Sequence, residues 1–485
     1  MRWARILQTL LVLVVVGGLG GWLLLFRPVG QPHSNDPAAV FNHGSIGNEE
    51  TQGIPYWIWR VLPQVFPDLV PNGGDGYAAF GVFWQRGEEL PVGFSKMTLG
   101  VVPRVAPNCA FCHQGSYRLS PDMPARLVSA GAGTRVEVQA YLRFLVDAGQ
   151  DPRFTSDRLM QEINGIVALP RWERALYRYL LIPATRQALQ AQAQRFAWTD
   201  SRPDWGPGRI DPFNPVKFAN LGLPDDGTIG NSDMMPLWGL GAVQSDKSVI
   251  RSMHWDGLMT DLHETVVAGA IGDGMTELSF PRTRQNLDRM EDFIRVAAPP
   301  PSPFRSDLPA GDPYRVDVTQ VQAGKALYRQ LCADCHEPGG HRFRQPIPMV
   351  ELGTDRQRLD MWTPAARDSY TDYQKDYSWG FRSFRKTDGY TAVNLTGLWL
   401  RGPYLHNGSV PSLRALLLPP DQRPQRFMRG SDLIDPRNGG FGDDPNGHGW
   451  EYDTTRPGNG NGGHLWGTGL SPADRESLLS YLKTL

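Results

Sequence analysis

The sequence predicts a mainly α-helical protein with long irregular connections, and three observations carry that expectation. Apolar residues recur at helical spacing in several separate segments. No convincing run of alternating apolar and polar residues marks a sheet. Glycine and proline are abundant, 53 and 41 of 485 residues, above ordinary usage yet short of the level that signals disorder. Basic and acidic residues nearly balance, 49 against 50, which removes the electrostatic footprint that binding to nucleic acid needs. A chain of this length has room for two or three domains.

Residues 1–30 read as a signal anchor or transmembrane helix. Arg2 and Arg5 precede an apolar run from Ile6 to Phe26, interrupted by Gln8 and Thr9. Such a run is long enough to span about 30 Å of hydrocarbon. The following "RPVGQPHSNDPAAV" holds no clear small-residue cleavage site. The basic residues then hold the N-terminus inside. The bulk of the chain is expected on the periplasmic side of a bacterial inner membrane, anchored there. A cleaved signal, leaving a soluble periplasmic or secreted protein, is the alternative.

Residues 40–297 form the first expected domain. "TRVEVQAYLRFLVDAG" opens with a Thr134-x-x-Glu137 capping box, and Val138, Tyr141, Leu142 and Leu145 follow at helical spacing. "RWERALYRYLLI" reads as a helix ended by Pro183, and "LDRMEDFIRVAA" as the last helix of the domain. Residues 298–317 are a Pro-rich linker. Residues 318–485 form the second domain. There Val321, Gly324, Leu327, Tyr328 and Leu331 share one helical face. The closing helix has Ser471 as N-cap, Pro472 in its first turn and Leu478, Leu479 and Leu482 as its stripe. A degenerate repeat links the halves: "MPLWGL" precedes "MHWDGLMTDL", and "NLTGLWLRG" precedes "YLHNGSVPSL". It suggests a duplicated module.

All four cysteines fall in C-x-x-C-H motifs, Cys109, Cys112 and His113, then Cys332, Cys335 and His336. A thioredoxin-like redox pair needs a βαβ setting, and none is apparent. A four-cysteine zinc site keeps its pairs close in sequence, whereas these lie far apart. Covalent attachment of haem c remains. Two spacers let both thiols reach neighbouring vinyl groups, and the adjacent histidine lies beneath the iron. The chain is therefore expected to carry two covalently bound haems c.

The helix leading into the second motif and the closing amphipathic helix resemble a class I cytochrome c domain. "GPYLHNGSVPSLRALL" closely resembles the C-terminal motif of the di-haem cytochrome c peroxidase and MauG superfamily. "GSIGNEETQGIPYWIWRVLPQVFP", "WGPGRIDPFNPVKF", "GDGMTELS" and "GNGNGGHLWGTGLS" resemble the branch related to bacterial rubber oxygenase. The resemblance covers nearly all of the chain after residue 44. It implies two cytochrome c-like haem domains with unequal ligation, preceded here by the expected transmembrane helix.

The peroxidases supply a Met or Tyr ligand fourteen residues after the histidine of the Y-x-H-N-G motif; here that position is Pro420, which cannot ligate. His464 is the candidate for the second iron, in the place where the rubber oxygenase branch has a C-terminal histidine. His406 is the alternative, preferred as a hydrogen-bonding neighbour. His341 reads as a surface residue and His448 as part of a solvated loop. No histidine follows His113 closely. His254, His263 or Met123 returns to the first iron, or its sixth position is open, as the resemblance implies. An open iron binds O2 or peroxide.

The expected function is thus a peroxidase- or oxygenase-like oxidoreductase with one open haem and one electron-storing haem. A purely electron-transferring cytochrome is the alternative. Expected partners are a small-molecule oxidant (O2 or peroxide) or a redox protein, and the membrane through the N-terminal helix, with no nucleic acid. Trp238, Trp255 and Trp399 are candidates for a relay, with core packing as their default role. Arg401 and Arg104 are candidates for haem propionates, and Arg209 with Asp211 for a structural ion pair. The peroxidase resemblance raises a structural calcium, though no ligand cluster in the sequence demands one.

Overall fold

The computed structural model describes residues 34–243, 251–377, 382–444, 447 and 449–485, with residues 12, 15–18, 20, 21, 28 and 29 near the start. Helix accounts for 43% and strand for 11%. The expectation of an N-terminal transmembrane helix is overturned. Among the described residues no helix is long and apolar enough to cross a membrane; most of the run from Ile6 to Phe26 lies outside them. The described part of that run, residues 12, 15–18, 20 and 21, is helical, but four of its positions are Gly17, Gly18, Gly20 and Gly21, which add no apolar side chain to the stretch.

A second departure is a small antiparallel sheet. Its strands are β1 (Pro28–Val29), β2 (Ile54–Pro55), β3 (Phe94–Leu99) and β4 (Val102–Pro107), in the order β1–β3–β4–β2. β3 and β4 pair with Leu99 opposite Val102 and Phe94 opposite Pro107. The alternation was hidden because Ser95 is buried beside Phe94. Its hydroxyl donates to the buried Glu49 carboxylate at 2.6 Å. β4 feeds directly into the first cysteine motif.

Helices follow much as the periodicity indicates, with two instructive differences. Helix Val138–Gln150 begins one residue after Glu137, whose side chain makes no cap bond. The Glu137 N–H instead donates to Phe80 O at 2.9 Å, and Thr134 Oγ1 is left buried without a partner. The capping box is therefore not made. Pro183 does not end its helix either. Arg171–Leu176 passes through a π-type turn, Tyr177–Leu181, into Ile182–Phe196, with Pro183 in the first turn of the new segment. The wider turn accommodates the missing proline N–H.

Helices Leu262–Gly272 and Phe280–Val296 follow. The Pro-rich stretch then lies down on the protein: Phe304 and Tyr314 are buried, and Tyr314 Oη donates to Leu119 O at 2.7 Å. One apolar cluster runs from Val40 and Phe41 through Trp238 and Met290 to Trp399 and Ile434, so both sides of that stretch share a core. Helix Val318–Leu331 is capped by Asp317, which accepts from Thr319 and Gln320 N–H groups. It crosses Pro472–Thr484, capped by Ser471, at Gly324. A Cβ there would stand 2.0 Å from Ser477 O. Asp432 ties the halves together. It accepts from Ser116 Oγ at 3.1 Å, Arg118 Nε at 2.8 Å and Arg135 Nη1 at 3.1 Å.

Candidate haem sites

The first motif is built by β4 and a buried asparagine. Asn108 caps the short helix Cys109–Cys112, accepting from Ala110 N–H at 3.0 Å. Its amide nitrogen donates to Gly44 O at 2.9 Å and Phe41 O at 3.3 Å. Gly93, at φ +91°, lets the chain pass against this helix; a Cβ would lie 2.4 Å from Phe111 Cα. His113 Nδ1 donates to Met235 O at 2.8 Å, which leaves Nε2 to ligate. Burial raises both thiols, Cys109 to about 12 and Cys112 further, and the nearby Asp273 carboxylate adds to both shifts.

The second motif is assembled in parallel fashion. Helix Val318–Leu331 delivers Cys332, and Ala333–His336 carries Cys335 and His336. His336 Nδ1 donates to Val393 O at 2.7 Å. Here the sequence repeat acquires a physical meaning. Each acceptor stands four residues before a left-handed glycine of the repeat, Met235 before Gly239 (φ +76°) and Val393 before Gly397 (φ +75°). The backbone at the start of each repeat supplies the carbonyl that orients the motif histidine and fixes which of its ring nitrogens carries the proton.

His464 faces His336, with ring centroids 6.3 Å apart and planes tilted 49°. Two metal–nitrogen bonds of about 2 Å, each with roughly an ångström from nitrogen to ring centre, fill a gap of about this size. His464 has φ +50°, follows Gly463 at φ +71°, and its N–H donates to Leu352 O at 2.9 Å. A non-glycine residue held in the left-handed region is a strained conformation of the kind that gathers at functional sites. Burial first, then the charges of His336 and Arg423, holds the His464 imidazole near pKa 3, so it is neutral and able to ligate at neutral pH.

His406 lies elsewhere. Its ring stacks on Tyr390 at 3.7 Å, and its Nε2 is buried without a partner. Burial, then Arg358 and Arg209, holds it well below the usual histidine range. His254 is its counterpart in the first half. Burial holds it near 4, offset by Asp256 and reinforced by Arg358 and His113, and its Nε2 also has no partner. Both histidines therefore converge on Arg358, which donates to Asp256 Oδ2 at 2.9 Å and Ser232 Oγ at 2.8 Å. His263 sits on a helix surface with Glu291 Oε2 at 2.8 Å. Met123 is 45% exposed, His341 is exposed, and His448 lies outside the described residues.

Among the arginines, Arg401 is buried and donates to Thr396 O at 2.7 Å; Arg104 has an unpartnered Nε. Arg209 and Asp211 do not pair. Arg209 donates to Asn459 Oδ1 at 2.8 Å and lies over the Tyr452 ring, while Asp211 accepts from Asn214 and Gly230. Sequence reasoning missed Arg344. It is 1% exposed, its Nε and Nη1 have no partners, and its charge reaches His336. Burial lowers it only to about 10, so it remains a buried cation with unmet donors. Its one visible peculiarity, φ +56°, leaves no trace in the sequence.

These residues fit haem c. Each motif offers two thiols one turn apart and an oriented imidazole, and the second adds a facing imidazole and a guanidinium suited to an anionic propionate. Among the described residues no group of three or more His, Cys, Asp or Glu side chains is placed to hold a metal ion.

Residues 389–428, from strand Gly389–Thr391 through the Y-L-H-N-G segment to strand Arg426–Arg429, match the family described as RoxA-like, cytochrome c-like. The match supports a haem cytochrome c of the RoxA-like branch, with redox activity and a covalently bound haem c. It does not extend to the di-haem peroxidase and MauG assignment. Two curated relatives come from Sinorhizobium fredii. The uncharacterized protein y4iJ is 41% identical over 105 residues, 20% of this chain and 18% of that protein. The uncharacterized protein y4iM is 31% identical over 162 residues, 28% of this chain and 37% of that protein. The chain thus spans well under half the length of these relatives.

Proposed function

We propose that the chain is a di-haem cytochrome c acting as a peroxidase- or oxygenase-like oxidoreductase on the periplasmic side of a bacterial membrane. Cys109, Cys112 and His113 would hold a first haem, which would supply binding of the oxidant; Cys332, Cys335 and His336, together with His464, would hold a second. The observation that carries this reading is an asymmetry. An imidazole stands across from His336 at 6.3 Å, whereas among the described residues no ring stands across from His113 in that way.

Haem, when bound, supplies one-electron chemistry and, at an open position, binding of O2 or peroxide. The chain's own residues do the rest. Met235 O and Val393 O fix the proximal imidazoles and raise their basicity. His254, neutral above a pKa of about 4, offers an unpartnered Nε2 that can take up a proton. Asp256 and Arg358 hold the polar wall behind it. Cys332, Cys335, His336 and His464 would hold the second haem, which would supply a store for one electron. A purely electron-transferring role is the second reading, and ligation at the first iron separates the two.

The test is low-temperature EPR of the oxidised protein with ligand binding. One high-spin and one low-spin signal, with cyanide or CO binding at one haem, is the expected result. Two low-spin signals and no ligand binding would overturn the enzyme reading in favour of electron transfer. Replacing Cys109 and Cys112 by alanine, or Cys332 and Cys335, should each leave one covalent haem by intact mass and haem-stained gel.

A further inference from the structure

A continuous file of rings leads away from His254. Phe213 lies 6.2 Å from the His254 ring, centroid to centroid, and Trp362 lies 5.0 Å from Phe213. Tyr370 follows at 5.3 Å, Tyr373 at 6.3 Å and Tyr377 at 5.2 Å. The helix Pro364–Tyr373 sets the later steps: Tyr370 and Tyr373 are three residues apart on it, and Tyr377 follows one turn beyond. Burial falls off along the file. Trp362 is 1% and Tyr370 6% exposed, whereas Tyr373 and Tyr377 are half-buried. Their two hydroxyls hydrogen-bond to each other.

Packing alone would account for the inner rings. It does not account for a file that ends in two easily oxidised phenols, mutually hydrogen-bonded at the surface. We propose that Trp362, Tyr370, Tyr373 and Tyr377 form an electron relay between the first haem site and the protein surface, where the Tyr373–Tyr377 pair exchanges single electrons with an external donor. The proposal rests on the reading of the first site as an open haem. Phe213 is the packed bridge and is not itself oxidised. Reduction of one hydrogen peroxide to two water molecules takes two electrons and two protons. Each electron leaves the tyrosine pair and passes inward through Tyr370 and Trp362. The oxidised phenol gives its O–H proton to solvent. Two one-electron donors, one after the other, reduce the phenoxyl, which takes a proton back from solvent each time, and the two protons consumed in forming water also come from solvent.

Two measurements on the haem-loaded full chain decide it. Freeze-quench EPR after hydrogen peroxide should show a tyrosine radical, lost in Tyr373→Phe/Tyr377→Phe while haem content and the resting optical spectrum stay unchanged. In the second, a dissolved ruthenium photosensitiser, flashed and quenched, injects oxidising equivalents from the surface end. Oxidation of ferrous haem should be slowed in the double variant and in Trp362→Phe. A haem that responds to peroxide without a radical that depends on the pair, together with flash oxidation indifferent to these substitutions, overturns the relay. A haem silent to peroxide, with flash oxidation still slowed by the substitutions, overturns the open-haem reading and upholds the relay.

Discussion

At the residue scale, the proposed two-haem reading makes opposite predictions for His464 and His406. His464→Ala should remove the imidazole opposite His336 and convert the second haem's low-spin EPR signal to a high-spin one. His406→Ala, which loses a ring stacked on Tyr390, should leave that signal in place; the reverse pattern would make His406 the axial ligand. His254 predicts a pH dependence. Its folded pKa is about 4 against an ordinary 6.5, so between those values the unfolded chain binds more protons. Stability is then fully present above about pH 6.5 and is lost as pH falls toward about 4. His254→Gln should flatten that acid arm in denaturant titrations followed at several pH values; an unchanged arm would show that other groups dominate. The motif cysteines and histidines were legible from spacing, and His464 from the family resemblance, which implies a C-terminal histidine where Pro420 cannot ligate; the structure sets its ring opposite that of His336. Arg344 was not legible, because a buried guanidinium with unmet donors looks like any other arginine until the fold encloses it.

At the element scale, close approach replaces side-chain contact at two glycines. Gly324→Ala puts a Cβ against the Ser477 backbone, which cannot yield as a flexible side chain would. The two cytochrome-type helices must separate, at a cost of about 1–3 kcal/mol, read as a lowered thermal midpoint. Gly93→Ala presses on Phe111 in the first motif and adds backbone strain at φ +91°. It should lower haem occupancy at Cys109 and Cys112 more than at Cys332 and Cys335, as measured by peptide mass mapping. Helix Val318–Leu331 and its partner Pro472–Thr484 were readable because their stripes and caps are local. β3 was not, since the buried Ser95–Glu49 bond puts a polar residue where a strand pattern expects an apolar one. Pro183 misled for a similar reason: a local rule about N–H groups was satisfied by a wider turn rather than by a break.

At the scale of the whole molecule, the Pro-rich stretch marks a boundary in composition but not in the core, which draws on residues from both sides. Asp432 is the test of that union, with a side chain only 1% exposed. Asp432→Ala would leave Arg118 paired with Asp444 alone and Arg135, 40% exposed, facing solvent, a loss of hydrogen bonds to charged groups that costs about 1–3 kcal/mol. Chemical denaturation should register that loss as a single cooperative shift if the halves unfold together, and as a split transition if they do not. The atoms that orient His113 and His336 are the main-chain carbonyls of Met235 and Val393, and a carbonyl is supplied by any amino acid. Substitution at either position therefore leaves the acceptor itself in place, whereas a change in backbone path, such as loss of the left-handed Gly239 or Gly397, would move it away from the imidazole it orients.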